Sequence, residues 1–365
     1  MPTETAPDGP APQAAHHVAT VAAPLDPASA DTPQVLHLAG RQLLVQRGDM
    51  ELAVRDLGGV GTEVRFPAPW PRPFGTVTVS PGGDLAVFAG VHALRAVDAT
   101  GSVRWEIRHG CWSTAVCEQR HVSYTEYADD FDHTHADHGS AAFSPDGKLV
   151  WAHVRDSTGD GVEEEWLVLD AVDGTVLGRA ETGTVASGSF QYPHPDPAYM
   201  GLTVGEGEED SPVLWGHWDG TTLTVRRFPE EVFLGVSPSG RHFLTTDPGQ
   251  WSVYLHRAED GVELRRLDAE GTVPAPSGSA DDDRARWDFE AAYVSEDTVV
   301  IGTDTDVRTY VTRHWLVDVA GMTLRGRVSY PFPVSGPARP AGEGTWYTVS
   351  ANGTAVHLWR RAEEA

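Results

Sequence analysis

Between residues 139 and 183, apolar and polar positions fall into four short runs separated by turn residues. The runs, 140–143, 148–154, 164–170 and 175–181, have strand length and end at Gly, Pro or Asp. The first turn is Ser144-Pro145-Asp146-Gly147, where proline presets φ and glycine accepts a positive φ. The turn Ala171-Val172-Asp173-Gly174 has the same chemistry. Between the inner runs lies a long acidic loop, 156–163, whose single apolar residue is Val162. The pattern predicts four antiparallel strands.

The rest of the chain repeats it. The Ser-Pro-x-Gly turn recurs at Ser80, Ser144 and Ser237, with weaker equivalents at Gly40, Pro193, Ser295 and Pro340. Most spacings are about 43–50 residues, the size of one four-stranded unit. The two longer spacings carry insertions, at 109–138 and 271–286. A second signature, a strand followed by an acidic or glycine turn and another strand, recurs in LRAVDATGSVRWEI, WLVLDAVDGTVLGRA, VLWGHWDGTTLTVRR, YLHRAEDGVELRRL and WLVDVAGMTLRGRV. These segments resemble the WD40-like and quinoprotein-like (YVTN-type) β-propeller superfamilies over residues 34–361. The strict WD40 pattern is not met, since only Trp218-Asp219 ends a third strand.

The expected fold class is therefore all-β: a seven-bladed β-propeller of four-stranded antiparallel blades. The seventh unit has only three strands, and the run HVATVAA at 17–23 is the candidate to complete it, because an added strand hides two edges. Small residues in GTVTVS, GSAAFS, ASGSFQ, FEAAY and PVSGPA suit the crowded innermost strands. Trp105, Trp151, Trp166, Trp251, Trp315 and Trp359 fall on strands at recurrent places and are expected to pack between blades. The expected organisation is a Pro/Ala-rich arm at 1–33 and a single propeller domain at 34–365.

Composition changes the picture in three places. A formal charge of −26 argues against nucleic acid and anionic membrane surfaces as partners, and favours a basic or cationic protein or small ligand. No run of about 18 apolar residues predicts a membrane span, and the first residues lack a basic, apolar leader, so a cytoplasmic location is expected. Two cysteines, Cys111 and Cys117, make no disulfide framework.

Strand reversal puts both insertions on the face opposite the tight turns, and function favours irregular loops on a rigid scaffold. That face is acidic, with Asp129, Asp130, Asp132 and Asp137 in the first insertion, Asp156, Asp160 and Glu163 beside it, then Glu206, Glu208, Glu209 and Asp210, and Asp281, Asp282 and Asp283 in the second insertion. The stretch HGCWSTAVCEQRHVSYTEYADDFDHTHADH, 109–138, carries the candidate chemistry. His133 and His135 point the same way if the segment is extended, and His138 joins them across a turn, a candidate site for a divalent transition metal. Asp130 or Asp132 would be the catalytic base in that case. Trp112, Tyr124, Tyr127 and Phe131 are candidate docking anchors. Cys111 and Cys117 read as buried, inert thiols, with joint ligation beside His121, a further binding candidate, as the other possibility. Two functions stay open: a cytoplasmic interaction module that docks a basic partner, and a metal-dependent enzyme.

Overall fold

The computed structural model describes residues 11–59, 63–113, 117–156, 158, 164–207, 211–274, 285–303 and 312–362. Nearly all of its regular structure is strand, in five four-stranded sheets and one eight-stranded sheet. The predicted acids Asp160, Glu163, Glu208, Glu209, Asp210, Asp281, Asp282 and Asp283 lie outside the described residues. The chain forms two compact units, Ala22–Val236 and Met1–Val21 with Ser237–Ala365.

The third blade shows why these sequences form strands. Its strands are Ser140–Phe143, Leu149–Arg155, Glu164–Asp170 and Val176–Glu181, within one residue of the predicted runs. Registers such as Trp151↔Val168 and Val150↔Leu169 place large apolar side chains opposite one another on the two inner strands. A local device sets the first hairpin. Ser144 Oγ accepts from Leu149 N at 3.0 Å, while Gly147, at φ 72°, donates to Ser144 O at 2.9 Å. The same side-chain bond occurs at Ser80 (to Leu85 N, 3.1 Å), Ser237 (to His242 N, 3.2 Å) and Ser350 (to Ala355 N, 3.0 Å). Serine and glycine three residues apart thus write one turn geometry into the chain several times.

In the unit Ala22–Val236, the first blade comprises Gln34–Leu38, Arg41–Arg47, Glu51–Asp56 and Val64–Pro67. The second comprises Gly75–Val79, Leu85–Gly90, Ala93–Asp98 and Val103–Arg108, and the fourth Gly188–Pro193, Tyr199–Gly205, Val213–Trp218 and Leu223–Phe228. Tryptophans join neighbouring blades here. Trp105 of the second blade donates from Nε1 to Ala171 O of the third at 3.0 Å. Gly174 lies flat on the same indole, so that a Cβ there would sit 2.8 Å from ring carbons. Trp151 and Trp166 pack with centroids 5.2 Å apart, against Gly216 of the fourth blade.

The fifth sheet is Val232–Val236, His242–Thr246, Ser252–Arg257 and Glu263–Asp268. In the eight-stranded sheet, the sixth blade is Trp287–Ser295, Thr298–Thr303, Arg313–Asp318 and Thr323–Ser329. The seventh is Ser335–Gly342, Thr345–Val349 and Ala355–Arg361, completed by the N-terminal strand Gln13–Ala22. That strand lies between Thr323–Ser329 and Ala355–Arg361, and pairs in parallel with the former through Gln13↔Val328 and Ala14↔Ser329. It closes the last blade as predicted, but starts earlier than 17–23. Trp251 departs from its expected packing: it is 39% exposed, with the Arg286 guanidinium 4.7 Å above its ring.

Candidate metal centre in the first insertion

The insertion leaves the second blade after Arg108 and enters the third at Ser140. Its first residues bind backbone to backbone across two blades. Trp112 N donates to Val91 O at 2.9 Å, and Gly110 N to Arg155 O at 2.6 Å. Trp112 is fully buried beneath the Arg155 guanidinium, 4.9 Å from its ring, and against His153 at 5.5 Å. Arg155 also donates to Cys111 O at 3.1 Å. The next segment folds back in two short turns, Tyr124–Glu126 and Phe131–Thr134. Tyr127 between them is buried on Phe74 of the second blade's entry, centroids 5.5 Å apart, and its hydroxyl meets His92 Nδ1 at 2.6 Å. Burial lowers the His92 pKa to about 4 and raises that of Tyr127, so both are neutral at pH 7.

These anchors gather four donors. One ligand atom from each of Cys111, Cys117, His121 and His133 lies within 4.8 Å of every other. Cys111, His121 and His133 are buried and Cys117 is half-buried. Cys117 Sγ is 3.4 Å from His121 Nε2. The imidazoles are oriented from behind. His121 Nδ1 meets Glu126 Oε2 at 3.1 Å, and His133 Nδ1 meets Asp130 Oδ2 at 2.6 Å. A carboxylate only accepts, so each Nδ1 donates and each Nε2 is the nitrogen turned away from its carboxylate. The His133 Nε2 is buried without any hydrogen-bond partner among the described residues. Tyr127 stacks on the His133 ring at 4.8 Å and 20°, and meets His121 edge-on at 4.8 Å. Burial pushes the Cys111 thiol up to about 12, so without a cation it stays protonated.

Comparison with solved structures places the architecture. The chain is similar to "BBS1N in complex with ARL6DN, soaked with mercury", at TM-score 0.51 and 9% identity over 97% of this chain and 99% of that one. It is also similar to BamB from Moraxella catarrhalis (TM-score 0.49, 13% identity, 95% and 99% covered) and to the Cps50 (Swd1) β-propeller domain of Myceliophteria thermophila (TM-score 0.38, 10%, 79% and 96%). The fold is a β-propeller. No protein-family model and no curated protein sequence matches the chain.

On this propeller the predicted site residues separate into three groups. His133 joins the donor cluster, but His135 and His138 do not. The extended conformation expected of this stretch is replaced by the helical turn Phe131–Thr134, capped on its C-terminal side by His135, and positions two apart on a helix diverge by about 200°. His135 is exposed, its Nδ1 near Phe131 O at 3.2 Å and its ring 4.5 Å from that of Phe131. His138 turns toward the fourth blade, its ring 6.4 Å from that of Phe190. Asp130 is engaged by His133, a positioning contact in place of the predicted base, and Asp132 lies on the same helical turn. Of the predicted docking residues, Trp112 and Tyr127 are buried where they fasten the insertion to the blades, and His121 is buried among Cys117, Tyr127 and His133. Tyr124 is half-buried against Phe74 at 5.8 Å, and Phe131 alone is open, at 72% exposure. Both cysteines lie beside His121 and His133, the grouping that the sequence offers as the alternative to inert thiols. The available signal was that both cysteines of the chain fall in the His-rich insertion.

Proposed function

We propose that this protein is an interaction module whose insertion-bearing face docks a basic segment of a partner protein, in a reducing compartment such as the cytoplasm. The observation that carries this is Phe131: a phenyl ring 72% exposed, directly after exposed Asp129 and Asp130, on a turn whose neighbour His133 is locked. An exposed aromatic next to exposed acids provides an apolar anchor beside negative charge. Val122, 51% exposed, and Val185, 76% exposed, add apolar surface on links that strand reversal puts on the same face. Glu118 and Glu126 add exposed acid. The similar structure carrying BBS1N was determined in complex with ARL6DN, so this architecture can carry a protein partner. The metal-dependent enzyme built on His133, His135 and His138 has no gathered ligand set among the described residues.

The test is a panel of Lys/Arg-rich and Asp/Glu-rich peptides of equal length, measured against the full chain by interferometry at low and moderate salt. Basic peptides should bind selectively, with affinity falling as salt screens the rim. Phe131→Ala should lower that affinity by about tenfold or more, the scale of an aromatic hot spot. Equal binding of both peptide classes, or binding indifferent to Phe131→Ala, would sink the proposal.

A further inference from the structure

We propose that Cys111, Cys117, His121 and His133 hold one zinc ion in a closed tetrahedral site that fastens the first insertion to the second and third blades. The site is independent of what docks on the face above it.

The geometry argues for it in three steps. The first is convergence: two sulfurs and two imidazole nitrogens lie within 4.8 Å of one another. Bonds of about 2.3 Å to sulfur and about 2.0–2.1 Å to nitrogen put the donor–donor edges of a tetrahedron at roughly 3.3–3.8 Å. The Cys117 Sγ to His121 Nε2 separation of 3.4 Å already falls in that range. The second step is orientation. Glu126 and Asp130 hold the far nitrogens of the two rings, the carboxylate–histidine arrangement that aims an imidazole at a metal. The Glu126 carboxylate is set in turn, accepting from Val122 N at 3.3 Å, while the Asp130 backbone carbonyl accepts from Thr134 N at 2.9 Å within the helical turn. The third step is an unmet need. His133 Nε2 is buried with no hydrogen-bond partner among the described residues, against the rule that buried polar atoms are satisfied. A Cys111–Cys117 disulfide would leave that nitrogen orphaned, whereas one cation satisfies all four donors.

Donor chemistry selects the ion. Two thiolates and two imidazoles suit zinc, while calcium and magnesium need oxygen ligands. Binding replaces the two thiol protons, which leave to solvent, so Zn²⁺ and two thiolates form a neutral site. Four protein donors leave no open position for water or substrate, so the ion is structural. Its work is to tie Cys111, pinned between the blades, to the turns that carry Glu126, Asp130 and Phe131.

The untagged full chain, reconstituted with zinc under reducing conditions and desalted, should retain one zinc per chain by elemental analysis. Cys111→Ser/Cys117→Ser and His133→Ala should lose it, while His135→Ala/His138→Ala should keep it. Glu126→Gln and Asp130→Asn should weaken zinc affinity by about 10–100-fold, as changes behind a metal ligand do. Cobalt in place of zinc should give the intense visible bands of tetrahedral coordination with thiolate charge transfer in the near ultraviolet. No retained zinc, retention in the cysteine variant, or a weak octahedral cobalt spectrum would overturn the assignment. Should the cysteine variant fail to fold, the cobalt spectrum of the wild-type chain decides alone.

Discussion

The third blade and the insertion before it are neighbours in sequence, yet they are held by different kinds of contact. The blade is a ladder: its four strands pair in sequence order, and Val150, Trp151, Trp166, Leu167 and Val168 are buried between sheets. Among its described residues the insertion has no ladder. It is held by side chains reaching backward and forward: Tyr127 to His92, Trp112 to His153 and Arg155, and two histidines to two carboxylates. Apolar burial is spread over many residues and fails globally, whereas a few polar contacts fail locally.

That contrast can be tested by removing one contact from each region. The largest effect belongs to the blade. Trp166→Ala removes a fully buried indole packed on Trp151 and bonded to Gln191 at 3.2 Å, and should destabilise by about 3–5 kcal/mol in chemical denaturation. The loss should appear as earlier unfolding across the blades. Tyr127→Phe in the insertion deletes a 2.6 Å bond and leaves His92 Nδ1 buried and unpaired, at a cost of about 1–3 kcal/mol. Hydrogen exchange should then quicken in 117–138 while the amides of the third blade keep their protection. Equal quickening in both regions would show that the insertion and the blade open as one. The smallest effect is Ser144→Ala, which removes one turn bond to Leu149 N and should cost about 0.5–1.5 kcal/mol in the same denaturation assay.

The two regions also differ in how far they can be read from sequence. Strands 140–143 and 164–170 were legible to the residue because alternation, proline and glycine are local signals. The closing strand was legible in place but not in length. Its first residues, Gln13-Ala14-Ala15-His16, carry little hydrophobic contrast, and their partner strands lie more than three hundred positions away in the chain, as Thr20 and His357 do at 337. In the insertion, the residue types were visible and their grouping was not. In sequence, spacing alone pairs His133 with His135 and His138. What turns it toward Cys111 is a helical turn seated on contacts with Asp130 and Tyr127, and what places Cys111 is Arg155, 44 positions on. Trp112 and Tyr127 looked like anchors for a partner for the same reason: nothing in their neighbourhood announces that Val91, His92 and Phe74 already bind them.

The N-terminal strand Gln13–Ala22 sets a schedule for making the protein. It leaves the ribosome before the strands Thr323–Ser329 and Ala355–Arg361 that flank it have been translated. At ordinary elongation rates that wait is roughly 15–60 s, during which both of its backbone edges are unpaired. Once those strands emerge, the slot between the sixth and seventh blades can accept the same strand from a second nascent chain as readily as its own, so crowded polysomes should favour strand-exchanged pairs.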